Sequence, residues 1–178
     1  MVDKMAVLEI MDRANVAMLN KESNKALKGF EAAIAKTPRL PNAYIGKAAA
    51  QEKLGRLVEA YDSIETALKL EPGSAMAHFL KGVILVKEKR FENAITEFDQ
   101  AIRINPRNSR FFITRGDPNL RLKRYFLALK DFERACRMGD RIACSRLERT
   151  RKNLRTRPVL DHRPPRSRSP LNRPPLER

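Results

Sequence analysis

Apolar residues recur at intervals of three and four along most of the chain, which is the spacing of an amphipathic α-helix. Residues 91–104 show the pattern clearly, and Pro106 follows it directly. Similar stretches precede Pro38 and Pro72, so the three prolines stand 34 residues apart. A period between about 20 and 50 residues is typical of repeat architectures, and we therefore expect a stack of similar units.

The proline spacing divides the chain into units at residues 7–40, 41–74, 75–108 and 109–142, the last of which lacks the proline. In every unit the eighth position is small, the twentieth and twenty-seventh are alanine, and the twenty-fourth is bulky and apolar. Small residues allow two antiparallel helices to approach closely, and the bulky residue fills the space beside them. In unit order these positions hold Ala14, Ala48, Gly82 and Gly116; Ala26, Ala60, Ala94 and Ala128; Phe30, Ile64, Phe98 and Phe132; and Ala33, Ala67, Ala101 and Ala135.

Each unit therefore predicts a pair of antiparallel helices, and the repeating region predicts an all-α fold with no strand. A proline disfavours the helical conformation in the residue before it, so the unit-ending prolines mark the ends of second helices. Beyond the fourth unit, apolar and small residues at helical spacing predict a C-terminal capping helix at about residues 143–156. Breaks within the pairs are predicted at residues 20–24, 55–56, 88–90 and 123–124.

The 34-residue register with these framework residues resembles the tetratricopeptide repeat family, over about residues 7–142. This resemblance implies a right-handed superhelical solenoid of about four helix pairs. It also implies a non-catalytic scaffold or adaptor that binds a protein or peptide in a concave groove, which the first helix of each pair lines. The fourth and eleventh positions, where the family prefers large aromatic residues, differ in this chain.

If the family geometry holds, five positions of each unit face the groove: the second, fifth, ninth, twelfth and thirteenth. They give an apolar floor with a basic end, which suits an apolar or amphipathic segment, and methionines suit a surface that adapts to its partner. The alternative for the smaller apolar residues is ordinary packing between repeats. We expect Met76 and Phe79 to face outward. The candidate peptide-binding residues are Met11, Asn15, Met18, Asn42, Ile45, Met76, Phe79, Val83, Lys87, Arg110 and Arg121.

Family members that clamp a C-terminal carboxylate use lysine, asparagine and arginine at defined positions of three successive units. In the first possible register only Asn15 fits, and in the next only Arg110 fits. We therefore do not expect chaperone tails to bind this chain in that way.

The formal net charge of +16 lies largely at the C-terminal end. Residues 141–178 contain 12 Lys or Arg and 3 Asp or Glu, a net charge of +9, which leaves +7 for residues 1–140. Residues 158–178 are rich in arginine, proline and serine, so we expect a disordered tail after a solenoid at residues 1–157. The tail is interpretable as a solvating extension, as a contact for nucleic acid or another acidic surface, or as a docking or phosphorylation site.

The last unit contains two irregularities. Pro118 lies inside a predicted first helix, where it predicts a kink that is either a tolerated irregularity or a hinge. Cys136 and Cys144 are eight residues apart, a spacing that resembles Sel1-like relatives of the family, in which such pairs form disulfides. Free cysteines that serve as small core residues are the alternative, which a reducing cytoplasm favours.

Other chemistry is sparse in the sequence. There is no nucleophile motif, no phosphate loop and no zinc-ligand spacing, so we expect no enzyme, cofactor or metal site. No run of apolar residues is long enough to span a membrane, and the N-terminal stretch is too charged for a signal peptide. We therefore expect a cytoplasmic protein, whose oligomeric state the sequence does not indicate.

Overall fold

The computed structural model describes residues 4–156, which form nine α-helices and no strand. The predicted tail at residues 158–178 lies outside the described residues. The breaks predicted at residues 55–56, 88–90 and 123–124 fall between two helices, whereas the one predicted at residues 20–24 extends two residues into the second helix. A ninth helix lies at the predicted position of the capping helix. The helices are α1 (Lys4–Leu19), α2 (Ser23–Lys36), α3 (Pro41–Lys53), α4 (Leu57–Leu70), α5 (Ala75–Lys87), α6 (Phe91–Ile104), α7 (Ser109–Arg121), α8 (Tyr125–Arg137) and α9 (Arg141–Thr156).

Successive helices pack against each other along the whole series, and the first helices of the four pairs, α1, α3, α5 and α7, also contact one another. The odd-numbered helices therefore form an inner layer, and the even-numbered helices form an outer layer. This arrangement confirms the predicted all-α, right-handed superhelical solenoid of four helix pairs with a C-terminal capping helix.

The helices of each pair approach as closely as the framework residues suggest. The alanines at the twentieth and twenty-seventh positions are all completely buried, and the bulky residues at the twenty-fourth position are at most 1 % exposed. A methyl group added to Gly82 would lie 2.6 Å from Cε1 of Phe98. Gly116 has the same relation to Phe132, so glycine gives the facing ring its space at the eighth position of these two units.

The turn inside each pair has one residue in the left-handed region of the backbone. These residues are Lys21, Gly55, Lys89 and Lys123, with φ between 58° and 77°. Three of the four are lysines, although glycine adopts this conformation at much lower cost. The turn geometry is therefore fixed by the packing of the helices on either side rather than by local preference.

The last unit keeps the helical pattern despite its irregular sequence. Helix α7 continues without interruption through Pro118, which is buried. Asp140 replaces the unit-ending proline, and its Oδ1 accepts hydrogen bonds from the backbone N–H groups of Ile142 and Ala143 at 3.0 and 3.1 Å. Asp140 thereby caps the N-terminus of α9.

A disulfide joins Cys136 at the end of α8 to Cys144 in the first turns of α9. Of the two alternatives left open by the sequence, the structure therefore has the disulfide. It fixes the capping helix against the last pair. Within residues 4–156, no helix is long and apolar enough to cross a membrane.

Candidate functional site

The inner layer forms a continuous surface along the first helices of the four pairs. An ion pair links two of these helices, because Nζ of Lys87 on α5 lies 2.6 Å from Oε1 of Glu52 on α3. The same Nζ donates a hydrogen bond to the backbone oxygen of Glu52 at 3.2 Å. Lys53 also pairs with Glu52, at 3.4 Å. The carboxylate of Glu52 is almost fully buried, so it fixes Lys87 at the surface.

Several of the predicted groove residues present apolar surface in this layer. Met76 is 43 % exposed, and Met11, Met18 and Val83 are half-buried. Met11 and Met18 both pack on the buried cluster that contains Phe30, which leaves their remaining surface at the N-terminal part of the inner layer. Asn15 and Asn42 are exposed, so polar groups border this apolar part.

Two predicted groove residues lie beneath the surface instead. Phe79 is only 4 % exposed, and its ring lies 5.0 Å from that of Phe111 and 5.7 Å from that of Phe98, measured between centroids. The expectation that Phe79 faces outward is therefore wrong. Ile45 is likewise part of a buried cluster, which it shares with Ile84. Both side chains support the surface rather than form it.

The other end of the inner layer is basic, as expected. The guanidinium of Arg110 lies 5.2 Å from the ring centroid of Phe79 and covers it in a cation–π contact. Lys87 and Arg121 line a cavity of about 810 Å³ between the C-terminal ends of α5 and α7, whose walls include Val86 and Leu120. The inner layer thus has half-buried methionines near α1 and exposed cations near α5 and α7.

A ladder of ion pairs between successive units was missed in the sequence. The base at the seventh position of one unit pairs with the acid at the twenty-fifth position of the unit before it. The pairs are Lys47 with Glu31 at 3.6 Å, Lys81 with Glu65 at 2.8 Å, and Arg115 with Asp99. A base at position seven and an acid at position twenty-five occur in all four units, and this was the signal that could have revealed the ladder.

Two of these bases also bind an acid of their own unit. Lys81 pairs with Glu97 at 3.0 Å, and Nε of Arg115 donates to Oδ2 of Asp131 at 3.0 Å. Burial alone would lower the pKa of Lys81, but hydrogen bonds to Glu65 and Glu97 outweigh it and raise that pKa. Burial raises the pKa of Asp131, although the bonds from Arg115 oppose the shift. These charges are therefore partly desolvated and depend on one another.

The described part of the chain has neither a cluster of metal ligands nor a histidine with a free ring nitrogen. Within residues 4–156, no group of three or more His, Cys, Asp or Glu side chains could hold a metal ion. His78 is bound on both ring nitrogens, by Oε2 of Glu97 at 2.7 Å and by the backbone oxygen of Pro72 at 3.2 Å. His78 thus has a structural role between α5 and α6.

Comparisons with known proteins agree with this geometry. Residues 59–109 match the model of the tetratricopeptide repeat family. No curated protein sequence is significantly similar to the chain. The match of residues 59–109 supports the resemblance to tetratricopeptide repeats. It gives no support to the Sel1-like cysteine spacing.

Among solved structures, the fold is similar to MamA 41-end from Desulfovibrio magneticus RS-1, with a TM-score of 0.70, 16 % identity, and coverage of 86 % of this chain and 88 % of that one. The Arabidopsis OM64 TPR domain has a TM-score of 0.60 and 21 % identity, with 64 % and 94 % covered. The first TPR of Spaghetti (RPAP3), bound to the HSP90 peptide SRMEEVD, has a TM-score of 0.63 and 16 % identity, with 68 % and 97 % covered. At these identities the likeness is one of fold.

Proposed function

We propose that this chain is a non-catalytic scaffold that binds an apolar or amphipathic segment of another protein along its inner layer. The observation that carries the proposal is the exposed side of Met76, which lies between the half-buried methionines of α1 and the cations of α5 and α7. Apolar anchors give a helix or an extended peptide most of its affinity in such a groove.

The charges of the inner layer suggest which way a bound segment runs. Lys87, Arg110 and Arg121 are exposed at one end, whereas Met11 and Met18 provide the surface at the other. A segment with acidic residues at one end and apolar residues at the other would satisfy both parts. In support, the related fold of Spaghetti holds a peptide with two adjacent glutamates, although this chain lacks the clamp residues of the family.

The proposal can be tested with peptides selected on the full chain from a random displayed library. A synthetic copy of a selected peptide should bind at least about tenfold more weakly to Met76→Glu, since that change introduces a charge among apolar contacts. The matched control is Val58→Glu on the outer layer, where Val58 is 74 % exposed. Equal losses in both variants, or a loss in neither, would contradict a site on the inner layer. Circular dichroism should show the same helicity for all three proteins.

A second candidate function is association with polyanions through the basic C-terminal end. The predicted tail at residues 158–178 contains five arginines and two acidic residues. Binding to duplex DNA should fall steeply with salt, by roughly 0.9 in log affinity per log unit of salt for each phosphate neutralised. It should be lost on truncation after Arg157 and should be unaffected by Met76→Glu. Salt-independent binding, or binding retained by the truncated chain, would argue against this function.

A further inference from the structure

One face of α1, which carries Arg13 and Val16, is called the outer face of α1 here. It has the contact residues that the other first helices use to bind a preceding second helix. At the tenth position of their units, Ala50 and Ile84 are completely buried against the pair before them. Val16 occupies the same position in the first unit and is 54 % exposed. Within residues 4–156, the helix that would cover Val16 is not present.

A basic residue on this face also corresponds to one that binds the preceding unit in later first helices. Arg13 stands at the seventh position, where Lys47, Lys81 and Arg115 each bind an acid of the preceding unit. The side chain of Arg13 is 83 % exposed and pairs only weakly, at 3.8 Å, with Glu9 of its own helix. Arg13 is therefore the first member of the ion-pair ladder, but it lacks the acid from the preceding helix that the other members have within the described residues.

The helices that cover the later units share one motif, which defines what would fit α1. Each has an alanine, then after three residues a phenylalanine or isoleucine, then directly an acid, and an alanine two residues later. The apolar residue packs under the next first helix, as Phe30 does beneath Gly46, and the acid reaches the base at position seven. The motif residues are Ala26, Phe30, Glu31 and Ala33; Ala60, Ile64, Glu65 and Ala67; Ala94, Phe98, Asp99 and Ala101; and Ala128, Phe132, Glu133 and Ala135.

We propose that the outer face of α1 is a docking site for an amphipathic helix of another polypeptide, which places an apolar side chain on Val16 and the following carboxylate on Arg13. A cavity of about 330 Å³, lined by Asp12, Arg13, Val16 and Ala17 among others, opens on this face and is mostly apolar. The site is separate from the inner layer, so it does not depend on the function proposed above.

A partner of acidic character fits this face better than a second copy of the chain does. The chain has a net charge of +16, which disfavours self-association in general. Stacking of copies end to end would bring Arg13 against α9, which carries six bases and one acid. A carboxylate of an acidic polypeptide is the counter-charge that fits Arg13 on this face.

The test uses a peptide with the sequence of residues 90–105, which contains the motif around Asp99. An isolated helix of this length is marginal in water, so the peptide carries Thr96→Lys, and the lysine amine forms a lactam with the carboxylate of Glu92 on the face exposed in α6. The full ¹⁵N-labelled chain is titrated with it. We expect chemical-shift changes centred on Arg13 and Val16, and a dissociation constant raised at least about fivefold by Arg13→Glu, because one ion pair is lost.

A charge exchange provides the decisive comparison. The peptide with Asp99→Lys should bind the native chain at least about fivefold more weakly and should regain affinity for the Arg13→Glu chain, as expected for a direct ion pair. Arg110→Glu on the inner layer is the matched control and should leave binding unchanged. Shift changes centred on Met76 and Arg110 would overturn the proposal in favour of a groove ligand. The proposal would also be overturned if the peptide did not bind, or if the charge exchange did not restore binding. A third contrary result would be sedimentation that shows dimers of the free chain, which Arg13→Glu dissociates.

Discussion

Replacement of Gly82 by alanine tests the close approach of α5 and α6, on which the packing of the third pair depends. The added Cβ would lie 2.6, 2.8 and 2.9 Å from three atoms of the Phe98 ring, closer than non-bonded carbons approach. The ring is completely buried and has Phe79 beside it, with 5.7 Å between the ring centroids. Since Phe98 has no open space to move into, the two helices must separate or the ring must leave its preferred rotamer.

Two opposing effects determine the size of the change. Overpacking of a buried site costs about 1–3 kcal/mol. Alanine is favoured over glycine inside a helix by about 1 kcal/mol, which offsets part of that cost. We therefore expect Gly82→Ala to lower the free energy of unfolding by up to about 2 kcal/mol, when these two ranges are combined. For a chain of this size each kcal/mol corresponds to about 2–4 °C in Tm.

Urea unfolding followed by circular dichroism would measure this free energy. Gly73→Ala is the control, because Gly73 lies in a turn without positive φ and its added Cβ would have no atom within 4 Å. In the double variant Gly82→Ala with Phe98→Leu, the alanine should cost less than it does alone, since leucine removes the ring that it meets. If Gly82→Ala is as well tolerated as Gly73→Ala, or costs the same with leucine at position 98, the packing argument is wrong.

Three further predictions concern the turns, the ladder and the cap. Lys89→Gly should raise the free energy of unfolding by up to about 1 kcal/mol in the same urea assay, because glycine adopts φ of 61° without strain. Lys81→Met should lower the free energy of unfolding by the same amount at pH 7 and at pH 9.5. The pKa of Lys81 is raised above its ordinary 10.5, so the charged lysine contributes its full stabilisation below pH 10.5 and loses it only at higher pH. Cys136→Ser with Cys144→Ser should destabilise by about 2–3 kcal/mol, and reduction of the native chain should give the same loss.

The helix boundaries were predictable because each depends on a local signal that recurs in register. A proline follows each of the first three second helices and stops it, and the alanines at fixed positions permit only one close packing of the pair. Pro118 shows the limit of local reasoning. It removes one hydrogen bond inside α7, yet burial of that proline between packed helices keeps the helix uninterrupted.

The exposure of the groove residues could not be predicted from their position in the repeat alone. Met76 and Phe79 both belong to groove-facing positions, but the first is partly exposed and the second is buried. The difference arises because Phe111 of the next unit stacks on Phe79 and Arg110 covers its ring. Such covering depends on the side chains that a neighbouring unit happens to supply, which the register does not reveal.

The polar contacts inside the helix pairs also give each unit an identity that the apolar framework lacks. Alanine, phenylalanine and isoleucine recur at the same positions, so by apolar packing alone one unit could replace another. The contacts near the ladder differ, since Ser63 donates to Gln51 at 2.8 Å in the second unit, whereas Arg115 binds Asp131 in the fourth.

Pairing of a second helix with the first helix of another unit would bring each of these side chains against the wrong partner. Asp131 would then face a lysine or a glutamine in place of the arginine that binds it through two nitrogens. Loss of the partner of a buried charge costs about 3–5 kcal/mol, which exceeds the difference between similar apolar contacts. The apolar repeat therefore allows any first helix to pack on any second helix, and buried polar contacts such as Arg115–Asp131 favour the pairing within the correct unit.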